Sequence, residues 1–155
     1  MADTTVKTLW LLHGVNLDML GQRDPEVYGS LTLPELEDYV RERGEELGFA
    51  VHCFQTNHEG EFVEKLHELA ASAPAALIVN PGAWTHYSYA LHDALELVGA
   101  PVAEVHLSDI ERREPWRHTS VVADLAAVRV SGKGAAGYAE AIVALAALVG
   151  ESERR

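Results

Sequence analysis

Short apolar runs alternate with helical segments along this chain, and that alternation leaves few folds open. Residues 8–12, Thr-Leu-Trp-Leu-Leu, form a continuous apolar run, as parallel strands buried on both faces do. Thr32 reads as a helix N-cap, with Pro34 and Glu35 in the first turn. Leu33, Leu36, Tyr39, Val40 and Leu47 follow at helical spacing, and Gly48 is the stop. A second strand is expected over 50–54, then a helix over 61–71 with Phe62, Val63, Leu66 and Leu69 on one face. Further strands fall at 76–79, 102–106 and 127–130. Between them lie a helix over 88–98 and a short helical turn near 110–113. An Ala-rich helix over 135–149 ends the pattern, and residues 151–155 are expected to fray. This predicts an α/β fold: a five-stranded parallel sheet in the order 2-1-3-4-5, with helices on both faces in three layers. The topological switch point then lies between strands 1 and 3.

A chain of 155 residues suits one domain, 1–155, with a real core. The net charge of −12 argues against nucleic acid as the main partner. An anionic substrate would need a local positive site. Cys53 stands alone, so a disulfide framework is excluded and a reducing, cytoplasmic setting is expected. No basic leader precedes an apolar segment, and the most apolar run, 141–149, is far short of a membrane span.

Polar residues gather where the strands end. Asn16 follows strand 1, Asn80 closes strand 3 and His106 closes strand 4. Ligands of open α/β sheets bind outside the carboxyl ends of the strands, at the switch point. Glu104 and His106 are two apart on one strand, so their side chains leave one face about 6.6 Å apart. A carboxylate there favours the charged imidazole and fixes its tautomer. Leu107, Ser108 and Asp109 then open a helical turn whose free N–H groups suit a carboxylate; plain capping accounts for Ser108 and Asp109 equally. The loop after strand 1 is longer than α/β connections usually are, and it holds Asn16, Arg23 and Tyr28. A surface excursion and a lid hinged at Gly21 and Gly29 both account for it. Arg112 and Arg113 read by default as part of a solvated charged loop.

Two patterns mislead. Gly132-Lys133-Gly134-Ala135-Ala136-Gly137 matches a dinucleotide fingerprint, but the strand and acidic residue it needs downstream are missing, so it reads as a tight strand-to-helix turn. The eight histidines are dispersed without metal-ligand spacing, so no metal is expected.

With these segments in view, the chain resembles the type II 3-dehydroquinate dehydratases nearly end to end. The likeness is carried by Asn16-Leu17 with Leu20-Gly21-x-Arg23 and Tyr28-Gly29, and by Gln55-Thr56-Asn57-His58-Glu59-Gly60. It continues in Asn80-Pro81-Gly82-Ala83 with Thr85-His86, in Glu104-Val105-His106-Leu107-Ser108, and in Arg113-Glu114 with Arg117-His118. The resemblance implies a flavodoxin-like fold, a homododecamer built from trimers, no cofactor, and an anionic small-molecule substrate, 3-dehydroquinate. Water would leave through an enolate to give 3-dehydroshikimate. Tyr28 would be the base, activated by Arg23, and Asn16 would hold a water against the enolate oxygen. His106, oriented by Glu104, would protonate the departing hydroxyl. Asn80 with the backbone of Leu107 and Ser108 would hold the substrate carboxylate, and His86 and Arg117 the ring hydroxyls. Asp93 would reach into a neighbouring subunit's site.

The chemistry is self-consistent. A free tyrosine ionises near pH 10, and keeping one as phenolate near pH 8 takes roughly 2.7 kcal/mol. A guanidinium within about 4–6 Å can supply that. Lys7, Lys65 and Lys133 end no strand near the cluster, so a Schiff base is not expected. The sequence departs from the common family pattern at His13 and Val15, in place of Asn and Pro, and at Asp18 and Asp109, each in place of Asn. Asp109 adds negative charge near the expected carboxylate site. Two other readings stay open: the same elimination on an amino-substituted ring in secondary metabolism, and a non-catalytic module, whether flavin-binding, receiver-like or a scaffold. A receiver would carry an acidic pair where His13-Gly14-Val15-Asn16 stands.

Overall fold

The computed structural model describes residues 5–155. The strands are β1 (Lys7–His13), β2 (Phe49–Gln55), β3 (Ala76–Asn80), β4 (Val102–His106) and β5 (Val128–Ser131). They form one sheet in the order β2-β1-β3-β4-β5, and every pairing is parallel. The helices are α1 (Pro25–Tyr28), α2 (Leu33–Glu46), α3 (Glu59–Ser72), α4 (Tyr89–Glu96) and α5 (Ala135–Glu153). The expected sheet and its order are both present.

Side-chain alternation along the central strands feeds two cores. Leu9, Leu11, Ile78, Ala103 and Val105 point to the face covered by α2 and α5, where Leu36, Val40, Tyr138 and Ile142 meet them. Leu12, Leu77, Val79 and Val102 point to the face covered by α3 and α4, against Phe62, Leu66, Leu91 and Leu95. Each buried Leu, Ile, Val or Phe among them contributes about 1.5–3 kcal/mol by leaving water, and Ala103 less. The short apolar runs therefore lack polar positions because both faces are covered.

The helix starts follow their caps. Thr32 Oγ1 accepts from the Glu35 N–H at 3.4 Å, and Ser88 Oγ from that of Leu91 at 3.1 Å. Three boundaries differ from expectation by two residues or more. α3 begins at Glu59 rather than 61, where Glu59 accepts a short hydrogen bond from the Ser88 hydroxyl and joins the starts of α3 and α4. α4 ends at Glu96, with Leu97 its exposed C-cap. α5 runs on to Glu153, where Lys7 Nζ pairs with Glu153 Oε2 at 2.7 Å. By length and composition α5 could cross a membrane, but Tyr138, Ala141, Ile142 and Leu145 are fully buried against the sheet.

Candidate active site

The floor of the site is a crossing of two chain segments. The Gly14 N–H donates to Asn80 O at 2.8 Å. A Cβ on Gly14 would lie 2.1 Å from Pro81 O, and one on Gly82 (φ +65°) 2.6 Å from Val15 O. Only glycine fits at either place. Asn16 sits just beyond, at φ 69°, a left-handed conformation that Asn tolerates better than most residues. It is held there from the loop after β2: its N–H donates to Asn57 Oδ1 at 2.9 Å, and Asn57 Nδ2 donates to Asp18 Oδ2 at 3.1 Å. Gln55 Nε2 donates to Gly14 O at 3.2 Å and to Asn57 Oδ1 at 3.1 Å. The Gln55–Asn57 segment, to which sequence reasoning gave no role, braces the first loop, and Asp18 is part of that brace.

The long loop is ordered into helical turns. Pro25 starts α1, and Asp24 Oδ1 caps it by accepting from the Glu26 N–H at 3.0 Å. This turn brings Tyr28 back onto Arg23. Arg23 Nη2 donates to Tyr28 Oη at 2.7 Å, and its guanidinium carbon lies 3.6 Å from the ring centroid. The phenol oxygen is thus an acceptor, the role a phenolate fills best. Arg113 is a second guanidinium here, 5.1 Å from the same ring centroid, with Nη1 donating to Ser108 Oγ at 3.3 Å. The expectation that Arg113 lies in a solvated loop is corrected: the turn of residues 110–112 points it inward, while Arg112 stays outside. Its only sequence signal was its place in the Arg113-Glu114 motif.

His106 Nε2 and Glu104 Oε2 are 2.6 Å apart at the end of β4, so the carboxylate fixes which nitrogen carries the proton and leaves Nδ1 to exchange one. Burial pushes the Glu104 carboxyl up; hydrogen bonds from His106 and Ser120 and the charges of His106 and Arg129 outweigh it and hold it below its ordinary value. His86 Nδ1 lies 2.7 Å from Thr119 O, which fixes the neutral tautomer with Nε2 as an acceptor. Burial pushes His86 down, further favouring the neutral ring. Asn80 Oδ1 accepts from the Gly82 N–H, and its amide donates to Tyr138 Oη at 3.2 Å, leaving one N–H for a ligand. Burial pushes the Tyr138 phenol up to about 12, so it is a fixed neutral anchor.

Asn16, Arg23, Tyr28, Asn80, His86, His106, Leu107, Ser108 and Arg117 all line one cavity of about 100 Å³. Glu104 sits behind His106, outside this lining, and Asp93 lies away on α4, its carboxylate accepting from His92 at 3.0 Å. Among the described residues, Arg23, Arg113 and Arg117 line the cavity and no carboxylate does; Glu114, outside the lining, accepts from Arg117 Nε at 2.6 Å. Asp109 does not reach the cavity: its side chain caps its own turn on Glu111 N and pairs with Arg112. A cavity this small suits a single-ring metabolite rather than a flavin. Gly132 and Gly134 (φ 77° and 58°) form the strand-to-helix turn expected of them. Among the described residues, His92, Asp93 and Glu96 bring donor atoms within 4.8 Å of one another, outside the cavity and with His92 already held by Asp93 and Asp124. Val15 lines the cavity, while His13 is fully buried with its Nε2 3.3 Å from Glu37 Oε1.

A parallel α/β sheet with a phenol–guanidinium pair facing an imidazole–carboxylate pair across a cationic cavity defines an acid–base enzyme for a small anion. The chain belongs to the dehydroquinase class II family, whose model matches residues 7–146. It is 48% identical over 144 residues to a 3-dehydroquinate dehydratase of Pelobacter propionicus, covering 93% of this chain and 97% of that one. It is 49% identical over 142 residues to the enzyme of that name from Pelotomaculum thermopropionicum, covering 92% and 98%. Among solved structures it superposes on the type II dehydroquinase of Propionibacterium acnes with a TM-score of 0.87 and 39% identity, over 91% of this chain and 97% of that one.

Proposed function

We propose that this chain, as one catalytic domain, is a 3-dehydroquinate dehydratase that eliminates water through an enolate, without a Schiff base, cofactor or metal. The observation that carries this reading is the cavity's charge: among the described residues three arginines and no carboxylate line it, in a chain of net charge −12. It supplies the local positive site an anionic substrate needs. Tyr28, as phenolate against Arg23 and Arg113, takes the proton from the carbon beside the ketone. Asn16 holds a water on the enolate oxygen. His106, with Nε2 held by Glu104, gives a proton to the departing hydroxyl, which leaves as water. The proton on Tyr28 returns to His106 through solvent and closes the cycle. Asn80 and the backbone of Leu107 and Ser108 hold the carboxylate; His86 Nε2 and Arg117 take ring hydroxyls. A lysine mechanism has no support here: Lys7, Lys65 and Lys133 pair with Glu153, Glu68 and Glu140, and none lines the cavity.

The same reading includes a cytoplasmic dodecamer of trimers in which Asp93 completes a neighbour's site. Tyr89, Asp93 and Leu97 recur every fourth residue along α4, with Tyr89 72% and Leu97 63% exposed and the Asp93 side chain 82% exposed. A mixed stripe of this kind fits a subunit contact. Asp109 caps its own turn outside the cavity lining, so its charge does not stand at the proposed carboxylate position; a panel of ring substrates separates dehydroquinate from its amino analogue. Ultraviolet absorbance with 3-dehydroquinate tests the proposal. The conjugated enone is expected to appear, and to appear equally after borohydride treatment of enzyme with substrate followed by dialysis. Loss of turnover after borohydride would reject the mechanism, and no absorbance rise at all would reject the substrate.

A further inference from the structure

We propose that Arg129, together with Ser120, is a positioning residue for the acid step: it holds Glu104 so that His106 can release its proton. The inference rests on the dehydratase reading above. Glu104 and Arg129 are register partners on β4 and β5. Arg129 Nε lies 3.2 Å and Ser120 Oγ 2.8 Å from Glu104 Oε1, while Oε2 faces His106 Nε2 at 2.6 Å. The two carboxylate oxygens therefore have separate duties, one anchored and one aimed at the acid.

The need for an anchor follows from burial. Glu104 is 1% exposed, and an unpaired charge at such a depth is costly. While His106 is imidazolium, the pair is neutral overall. Once His106 has protonated the leaving hydroxyl, the carboxylate faces a neutral ring. Arg129 cannot lose its proton. It supplies a countercharge that is the same before and after the transfer, so Glu104 neither picks up a proton nor turns away at the moment the acid acts.

Arg129 does this from behind. It lines a separate chamber of about 180 Å³ with Glu104, His106, Glu111 and Ser131, and it does not line the substrate cavity. His106 and Ile110 line both and form the wall between the two. The other charged or titratable groups around Glu104 are His106 on its own strand, Arg129 on β5, Glu111 in the turn after β4, and His86 in the turn before α4. Of these only Arg129 is a permanent cation.

The test compares Arg129→Met, Arg129→Lys, Ser120→Ala and the parent, with thermal melts to verify folding; the Arg129 side chain is 45% exposed, so the fold is expected to survive. Arg129→Met should lower kcat roughly tenfold, the size expected for one charge-assisted hydrogen bond partly screened by water, and leave KM within about twofold. The acid limb of the kcat profile should move to higher pH, because Glu104 protonates more readily without its countercharge. Arg129→Lys should restore most of both effects, and Ser120→Ala should fall between. A pH titration by difference infrared spectroscopy reads the protonated-carboxyl band, assigned by its loss in Glu104→Gln, without any substrate; the band should appear at higher pH in Arg129→Met. An unmoved Glu104 titration, an unchanged kcat profile, or an effect on KM alone would each overturn the proposal. A parent protein inert toward 3-dehydroquinate would overturn the dehydratase reading instead, and the infrared titration would still judge the Arg129 contact.

Discussion

Two glycines show how differently the two halves of this site are made. At Gly14, on the floor, a Cβ would lie 2.1 Å from a backbone oxygen of the neighbouring segment, so space alone demands glycine. At Gly29, at the end of the loop proposed as a lid, a Cβ would meet nothing within 4 Å, and the demand is the backbone angle, φ 76° with ψ −175°. The floor is fixed by packing between strand ends. The lid is fixed by torsions at Gly21 and Gly29 and by the stacking of Arg23 and Arg113 on Tyr28. Asn80, assigned to the substrate carboxylate, sits on the packed crossing, and Tyr28, assigned as the base, sits on the loop held by torsions and stacking. Binding and turnover should therefore separate under mutation.

The sharpest separation is expected from Tyr28→Phe. Turnover should fall by about 10³-fold or more, the range for a lost general base, while calorimetry still detects binding of the product. Full activity would remove Tyr28 from the chemistry. Next, Gly14→Ala should destabilise the fold by about 3 kcal/mol or prevent folding, because no side-chain rotation relieves a clash with backbone. Gly29→Ala, by contrast, should cost only about 1–2 kcal/mol of torsional strain and act mainly on kcat. Equal loss of Tm in the two variants would erase the distinction between floor and lid. Arg113→Met should lower kcat roughly tenfold with the fold intact, as expected for one stacked, charge-assisted contact; unchanged kcat would leave Arg23 as the sole partner of the base.

The smallest effect concerns the floor's outer support. Contact with His13 holds the Glu37 carboxyl below its ordinary value against burial, with help from Arg41. A depressed carboxyl stabilises the fold fully above its unfolded value, near pH 4.5, and that share is lost as pH falls through the lower folded value. His13→Asn should therefore flatten the decline of Tm below about pH 4.5. A curve unchanged from the parent would show that the pair carries no linkage.

The sheet, its order and most of the helices were legible because two periodicities and a few caps encode them locally. Buried runs such as 76–79 need no partner to be read, and Thr32 and Ser88 announce their own helices. The cavity was legible in outline because strand ends of a parallel sheet converge by geometry. What stayed hidden depends on pairs far apart in sequence. Lys7 reaches Glu153 across 146 residues and links the start of β1 to the last turn of α5. Asn57 holds Asn16 across 41, and nothing local marks either residue as a partner. Arg113 and Arg129 looked like any charged residues in a loop and a short strand. Their roles arise from what the fold places beside them, Tyr28 in one case and Glu104 in the other.

The cavity without carboxylates also sets how substrate arrives. A chain of net charge −12 repels an anion across most of its surface, and its arginines attract only near the cavity mouth. Dissolved salt screens first what acts over more than about 10 Å, which is the repulsion. The short contacts inside are left largely intact. Productive encounters with an anion therefore become more frequent as ionic strength rises from very low values, the reverse of enzymes whose overall charge draws their substrate in.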